Sequence, residues 1–251
     1  MEQRFAVVCQ GHRDCANIRM PMDRLILFDI DGTLTRTQNG YLPFNEAILK
    51  TFSVPGDIRS VVPDGNTDPH IVQEIFAMAK LELKIEAGEW TRFAKNLHLA
   101  YAEAVCKGVT TIRALPGALV LLEALSRNES FTQGVVTGNF EVTAQVKLEA
   151  AGLHTYLCRG AYGSDSAHRA DLPRIAKARW ERRTGKSLDP ERCVIVGDTP
   201  KDLAAARQNH MKCVLVGTGR YPVEDLATFE PDGCLPDLTD TRAVASLLSS
   251  L

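Results

Sequence analysis

From Leu115 to Gly219 the chain alternates short apolar runs with segments of helical spacing. "PGALVLLEALSRN" reads as a helix with Pro116 near its start, and "FTQGVVTGN" as a strand ending in a Gly-Asn turn. "EVTAQVKLEAAGL" is a helix stopped by Gly152, "YLCRGAYG" a strand, and "ADLPRIAKARWERRTG" a helix closed by Gly185. "ERCVIVGD", "PKDLAAARQNH" and "KCVLVGTG" continue as strand, helix and strand. Runs as apolar as "CVIV" and "CVLV" have no polar face to offer water, so helices must cover both sides of their sheet. Strands separated by a helix pair in parallel. The alternation therefore predicts a doubly wound parallel α/β sheet.

An earlier apolar strand, residues 24–30, belongs to the same sheet but is separated from the rest by a stretch with no convincing strand. "PFNEAILKTF", "DPHIVQEIFAMAKLEL" and "GEWTRFAKNLHLAYAEAV" carry apolar residues at helical spacing. In the last, Trp90, Phe93, Leu97 and Tyr101 share a face and are expected to be core. The expected organisation is an α/β core, residues 23–38 and 112–251, interrupted by an all-helical cap, residues 39–111. Residues 1–22 are set apart as an N-terminal extension.

Polar residues close three of the strands. "LILFDIDGTL" ends on Asp29 and Asp31, "VVTGN" on Thr137, and "VIVGDTPKD" on Asp198. In sheets of this kind ligands bind at the carboxyl ends of the strands, so these residues converge on one rim. Two acids so close repel, and burying them is costly unless a cation compensates. Clustered carboxylates form a hard oxygen site suited to Mg²⁺. A carboxylate can attack phosphorus to form an aspartyl-phosphate, and a neighbouring carboxyl can protonate the leaving oxygen. Thr137 and the backbone of Gly138 and Asn139 are placed to hold phosphoryl oxygens.

"DIDGTL", "VVTGN" and "VIVGDTPKD", in this order and with a helical insertion after the first, resemble the haloacid dehalogenase-like superfamily. The nearest match is its capped phosphatase branch, the phosphoglycolate phosphatase type. The resemblance implies Asp29 as nucleophile and Mg²⁺ ligand, and Asp31 as general acid/base whose backbone carbonyl also reaches the metal. It implies Thr137 as phosphate ligand, and Asp198 with Asp202 as the remaining metal-binding acids. Asp202 has a second reading, because Thr199-Pro200-Lys201-Asp202 is also a well-formed helix start. The Lys-Pro pair that many relatives carry before the last motif is missing here. Arg169 stands nearly in its place and is the expected phosphate cation, with Lys147 as rival. The helical spacing of Lys147 suits an exposed position.

Asp31 favours phosphoryl transfer to water, since dehalogenases of this superfamily lack an aspartate there. A phosphonate hydrolase would need a Schiff-base lysine on the cap, and Lys50, Lys80, Lys84 and Lys95 are expected to be solvated. A sugar-phosphate mutase uses the same core. Specificity is expected in the cap, where Asn66, Thr67 and Asp68 either face the substrate or cap the following helix. The expectation is a Mg²⁺-dependent hydrolase of a small phosphomonoester, such as phosphoglycolate or a sugar phosphate. A non-catalytic binding protein would have little reason to keep the repelling acids.

Composition narrows the partners. Of 251 residues, 24% are charged with a formal net charge of −2 and no long charged run, which argues against nucleic acid or an anionic membrane as partner. No segment approaches the roughly 18 apolar residues of a membrane helix. Seven unclustered cysteines read as reduced thiols in a cytoplasmic protein, and Cys193 and Cys213 as core residues. "CQGHRDC" lacks a second ligand pair at zinc spacing.

Overall fold

The structure is a computed structural model and describes residues 24–81 and 85–251. The extension, Cys9 to Cys15 and Lys84 lie outside the described residues. Among the described residues eight strands are formed: β1 Arg24–Phe28, β2 Thr35–Gln38, β3 Thr111–Ala114, β4 Phe131–Thr137, β5 Cys158–Tyr162, β6 Cys193–Gly197, β7 Lys212–Val216 and β8 Gly233–Leu235. The helices are α1 Tyr41–Phe52, α2 Asp68–Met78, α3 Ala87–Cys106, α4 Ala118–Ser126, α5 Glu141–Ala150, α6 Leu172–Thr184, α7 Pro200–Gln208, α8 Val223–Ala227 and α9 Thr241–Ser250.

Six strands make one parallel sheet in the order β5-β4-β1-β6-β7-β8. Successive side chains of β1 enter different cores, as period-two geometry requires. Ile26 and Phe28 pack with α4, α5 and α9, whereas Leu25 and Leu27 pack with α6, α7 and α8. Cys193 and Cys213 are buried in the second core. Burying a side chain such as Phe28, at 0% exposure, contributes roughly 1.5–3 kcal/mol.

The strand order places β1 between β4 and β6, where the chain changes direction across the sheet. Phe28 is in register with Val135 on one side and Val196 on the other. Asp29, Thr137 and Asp198 therefore leave the sheet at nearly one level, and the Asp29 amide still donates to Val196 O at 2.9 Å.

Helices α1 to α3 are inserted between β2 and β3, which pair antiparallel as a two-stranded ribbon. Phe44, Ile48, Phe76, Phe93 and Leu97 form their interior, with Trp90 packed against it. That interior extends onto Phe140 at the start of α5. The Phe93 ring lies 5.5 Å and the Trp90 ring 6.1 Å from the Phe140 ring. The aromatic stripe is core, with one correction: Tyr101 also forms part of a cavity wall.

Candidate active site

After β1 the chain turns sharply, with Leu34 N and Thr35 N both donating to Ile30 O. Gly32 takes a φ of +80°, and a Cβ there would run into the Asp198 carboxylate. The turn thus needs glycine on two grounds, conformation and close approach. Asp29 is buried, and its Oδ2 lies 3.3 Å from Arg169 Nη2. Asp31 keeps 42% of its side chain accessible.

Asp198 and Asp202 come from β6 and the first turn of α7. Thr199 caps that helix, and Asp202 closes a reciprocal capping box with it. Asp202 Oδ2 accepts from Thr199 Oγ1 at 2.7 Å and from Thr199 N at 3.1 Å. Its other oxygen, Oδ1, is held by Arg169 Nη2. The two readings of Asp202 are therefore compatible: one oxygen builds the helix start, the other pairs with Arg169, which also reaches Asp29. Asp198 has a hydroxyl donor, Thr33 Oγ1 at 3.2 Å.

Carboxylate oxygens of Asp29, Asp198 and Asp202 lie within 4.8 Å of one another. Burial, reinforced by Asp202 and Asp31 and opposed by Arg169, raises the Asp29 carboxyl to about 6. Burial and then the charges of Asp29 and Asp202 raise Asp198 to about 9. Arg169 alone leaves this cluster short of positive charge. Three hard oxygen donors and that deficit fit a Mg²⁺ ion.

Strand β4 ends on Thr137, whose buried Oγ1 accepts from Asn139 Nδ2 at 2.9 Å. The same Nδ2 donates to Asp31 Oδ2 at 2.8 Å, and Asn139 Oδ1 accepts from Lys147 Nζ at 2.8 Å. Lys147 Nζ also reaches Asp31 Oδ2 at 2.6 Å. The expectation of an exposed Lys147 is corrected. The face of α5 that carries Thr143, Ala144 and Leu148 packs inward, and Lys147 lies on it, extending its stem over buried surface toward the acid. Burial disfavours the Asp31 anion, but the Lys147 charge and hydrogen bond, helped by Asn139 and Thr37, more than offset this, so its carboxyl stays below the usual range. The two rival cations thus both stand in the site, on different acids.

A cavity of about 670 Å³ opens over these groups, bounded among others by Asn66, Asp68 and Tyr101. The cap loop is tied to the strand ends. Asp68 N donates to Gly138 O and Asp68 Oδ2 accepts from Phe140 N, both at 2.8 Å. Burial raises the Asp68 carboxyl to about 7 against the opposing charge of Lys147. Asn66 borders the cavity and receives Lys201 Nζ at 2.5 Å. Thr67 does not belong with them: it is buried away from the cavity, donates to Ala167 O at 2.7 Å and caps α2. Lys50, Lys80 and Lys95 are exposed and border no part of the cavity. Thr33 and Thr37 escaped the sequence reading, and Tyr101 was read as core alone. Thr33 sits inside "DGTL" and was open to it; Thr37 reaches Asp31 because the chain turns back into β2 within a few residues, and Tyr101 arrives from α3.

A Cβ at Gly138 would collide with Asn66 O of the cap loop. Gly138→Ala is expected to cost about 1–3 kcal/mol as an overpacked contact and to raise KM. Thermal unfolding and steady-state kinetics check both; an unchanged KM would separate this loop from substrate binding.

Comparison with known proteins agrees with this architecture. A family model described as a haloacid dehalogenase-like hydrolase matches residues 24–210. The probable phosphatase IndB of Dickeya dadantii is 26% identical over 230 residues, covering 92% of this chain and 96% of that protein. A phosphoglycolate phosphatase of Agrobacterium fabrum is 28% identical over 221 residues, covering 86% and 90%. The crystal structure of a hydrolase from Pseudomonas syringae shares the fold, with a TM-score of 0.62, 22% identity and coverage of 89% and 98%. The match of the family model spans β1 to β6 and α7, which carry every acid of the site, and the chain belongs to the haloacid dehalogenase-like hydrolases.

Proposed function

We propose that the protein is a Mg²⁺-dependent phosphomonoesterase that works through a phosphorylated Asp29. The observation that carries this reading is the meeting of Asp29, Asp198 and Asp202 with Arg169 between them, and of Asp31 beside them. An Asp29 oxygen attacks phosphorus as the bond to the leaving oxygen breaks, and Asp31 gives that oxygen its proton. Water then attacks the phosphorus, Asp31 takes a proton from it, and the bond to Asp29 breaks to release phosphate. Thr137, the Gly138 and Asn139 backbone and Arg169 hold the phosphoryl oxygens as their charge develops. Asp29, Asp198, Asp202 and the Asp31 carbonyl would hold Mg²⁺, which when bound supplies charge neutralisation at the transferring group.

The cavity volume, within the usual range for small-molecule sites, and the docked cap loop support a small substrate of the phosphoglycolate or sugar-phosphate type. The similarity to a phosphoglycolate phosphatase favours the first. The five described cysteines are all free thiols, and no helix among the described residues is long and apolar enough to cross a membrane. We take the cytoplasm, where free thiols persist, as its compartment and the small phosphomonoester as its partner. A sugar-phosphate mutase is the second reading, favoured by the cap loop held against the strand ends, a contact through which such an enzyme would keep water from its phosphoenzyme.

The test is phosphate release from a panel of small phosphomonoesters with Mg²⁺ or with EDTA. Metal-dependent release supports the phosphatase; isomerised sugar phosphate without release would favour the mutase. Arg169→Ala is expected to weaken competitive inhibition by inorganic phosphate roughly 10- to 100-fold, the worth of a charge-assisted hydrogen bond. An unchanged inhibition constant would remove Arg169 from the phosphate site.

A further inference from the structure

Asp31 has two carboxylate oxygens in unequal surroundings. Oδ2 receives Lys147 Nζ at 2.6 Å and Asn139 Nδ2 at 2.8 Å, whereas Oδ1 receives the Thr37 hydroxyl at 3.3 Å. Lys147 is itself fixed. Asn139 Oδ1 accepts a second hydrogen bond from its Nζ at 2.8 Å, the Tyr101 ring centroid lies 5.7 Å from it, and its side chain is 6% exposed. Asn139 is anchored in turn through Thr137 Oγ1 and through its own carbonyl, which accepts from Gly163 N. An ammonium on α5 is thus locked to the end of β4 and holds one face of a half-exposed acid on the turn after β1.

We propose that Lys147 is a positioning residue for Asp31. With Asn139 it occupies Oδ2, so that Oδ1 is the oxygen that passes the proton. In the first step Oδ1, ionised in the free protein, takes up the proton that the phosphomonoester monoanion brings and passes it to the leaving oxygen as its bond to phosphorus breaks. In the second, Oδ1 takes a proton from the water that attacks the phosphoaspartate. Lys147 then differs from Arg169, which bonds the acid cluster and is placed for the phosphoryl group. The assignment rests on the phosphatase reading and specifies which residue orients its acid.

Leaving groups of different basicity separate this role from phosphate binding or mere structure. An alkyl ester needs its leaving oxygen protonated, whereas a p-nitrophenyl ester departs as a stable anion. The value of kcat/KM reports formation of the phosphoenzyme, the step in which that proton moves. Lys147→Met is expected to lower kcat/KM for alkyl phosphates by about 100-fold, the lower range for a general acid. The loss on p-nitrophenyl phosphate is expected to be at least about tenfold smaller, and inhibition by inorganic phosphate to stay within about threefold. Lys147→Arg keeps a buried cation, guards against a folding failure of the methionine variant, and is expected to show the same selective loss in weaker form. Equal losses on both ester classes, or weakened phosphate inhibition, would overturn the assignment in favour of phosphate binding. Full activity on alkyl esters in either variant would also overturn it. A wild-type enzyme silent on both classes would overturn the phosphatase reading and the Lys147 assignment with it.

Discussion

Asp29→Asn is expected to lower turnover of every phosphomonoester by at least about 10³-fold, the scale on which loss of a covalent nucleophile is felt. The amide fills the same space but has no anionic oxygen to bond to phosphorus. The fold should survive, because Asp29 is a source of repulsion in the metal-free protein. Burial and the charges of Asp202 and Asp31 raise its carboxyl to about 6. Replacing it by a neutral group removes one of three buried acids. The melting temperature in EDTA should therefore hold or rise while activity vanishes. Phosphate release and thermal unfolding on the same sample check the pair of outcomes. Activity within tenfold of wild type would exclude Asp29 as the attacking group. A collapse in melting temperature would mean that its ion pair with Arg169 outweighs the repulsion.

Chelation is expected to abolish turnover and to make stability depend on pH in a definite direction. Asp29 and Asp198, at about 6 and about 9, lie above the unfolded value near 4. The folded chain then binds more protons than the unfolded one, so stability falls as pH rises from about 4 to about 9. Asp31 has the opposite sign, but its contribution is complete above about 4 and adds no slope beyond that. Asp68, raised to about 7, has the same sign as Asp29 and Asp198. Each of these three carboxyls still protonated in the folded chain adds about 1.4 kcal/mol per pH unit, and the slope flattens between pH 6 and 8 as Asp29 and then Asp68 ionise. Bound at these carboxylates, Mg²⁺ would replace the missing protons as counter-charge, and it is expected to raise the melting temperature more at pH 8 than at pH 6. Melts at both pH values, with EDTA and with Mg²⁺, measure this difference. An equal rise at the two would show that these carboxylates are not where the ion binds.

Much of the site was legible because its residues follow strands that the chain announces locally. Continuous apolar runs ended by Asp29, Thr137 and Asp198 define strands with two buried faces, and such strands pair in parallel with their carboxyl ends on one rim. The start of α7 was equally local, since Thr199 and Asp202 complete each other's hydrogen bonds within a single turn. Lys147 was misjudged for the opposite reason. Helical spacing defines a face of α5 but not what will lie against it, and the docking of α3 and the insertion's core on Phe140 decided that.

The cap loop shows the same division. Asn66, Thr67 and Asp68 are one polar run in the sequence, yet Asn66 and Asp68 border the cavity while Thr67 is turned to Ala167 and the helix start. Backbone contacts with Gly138 and Phe140, some 70 residues away, determine which of the three point inward. By itself the sequence determined the sheet, the order of its chemistry-bearing strand ends and the local cap of α7, because each follows from hydrophobic pattern and short-range hydrogen bonding. Only the tertiary structure decided which cation serves which acid and which loop residue meets the cavity, because those choices depend on how separately formed elements pack.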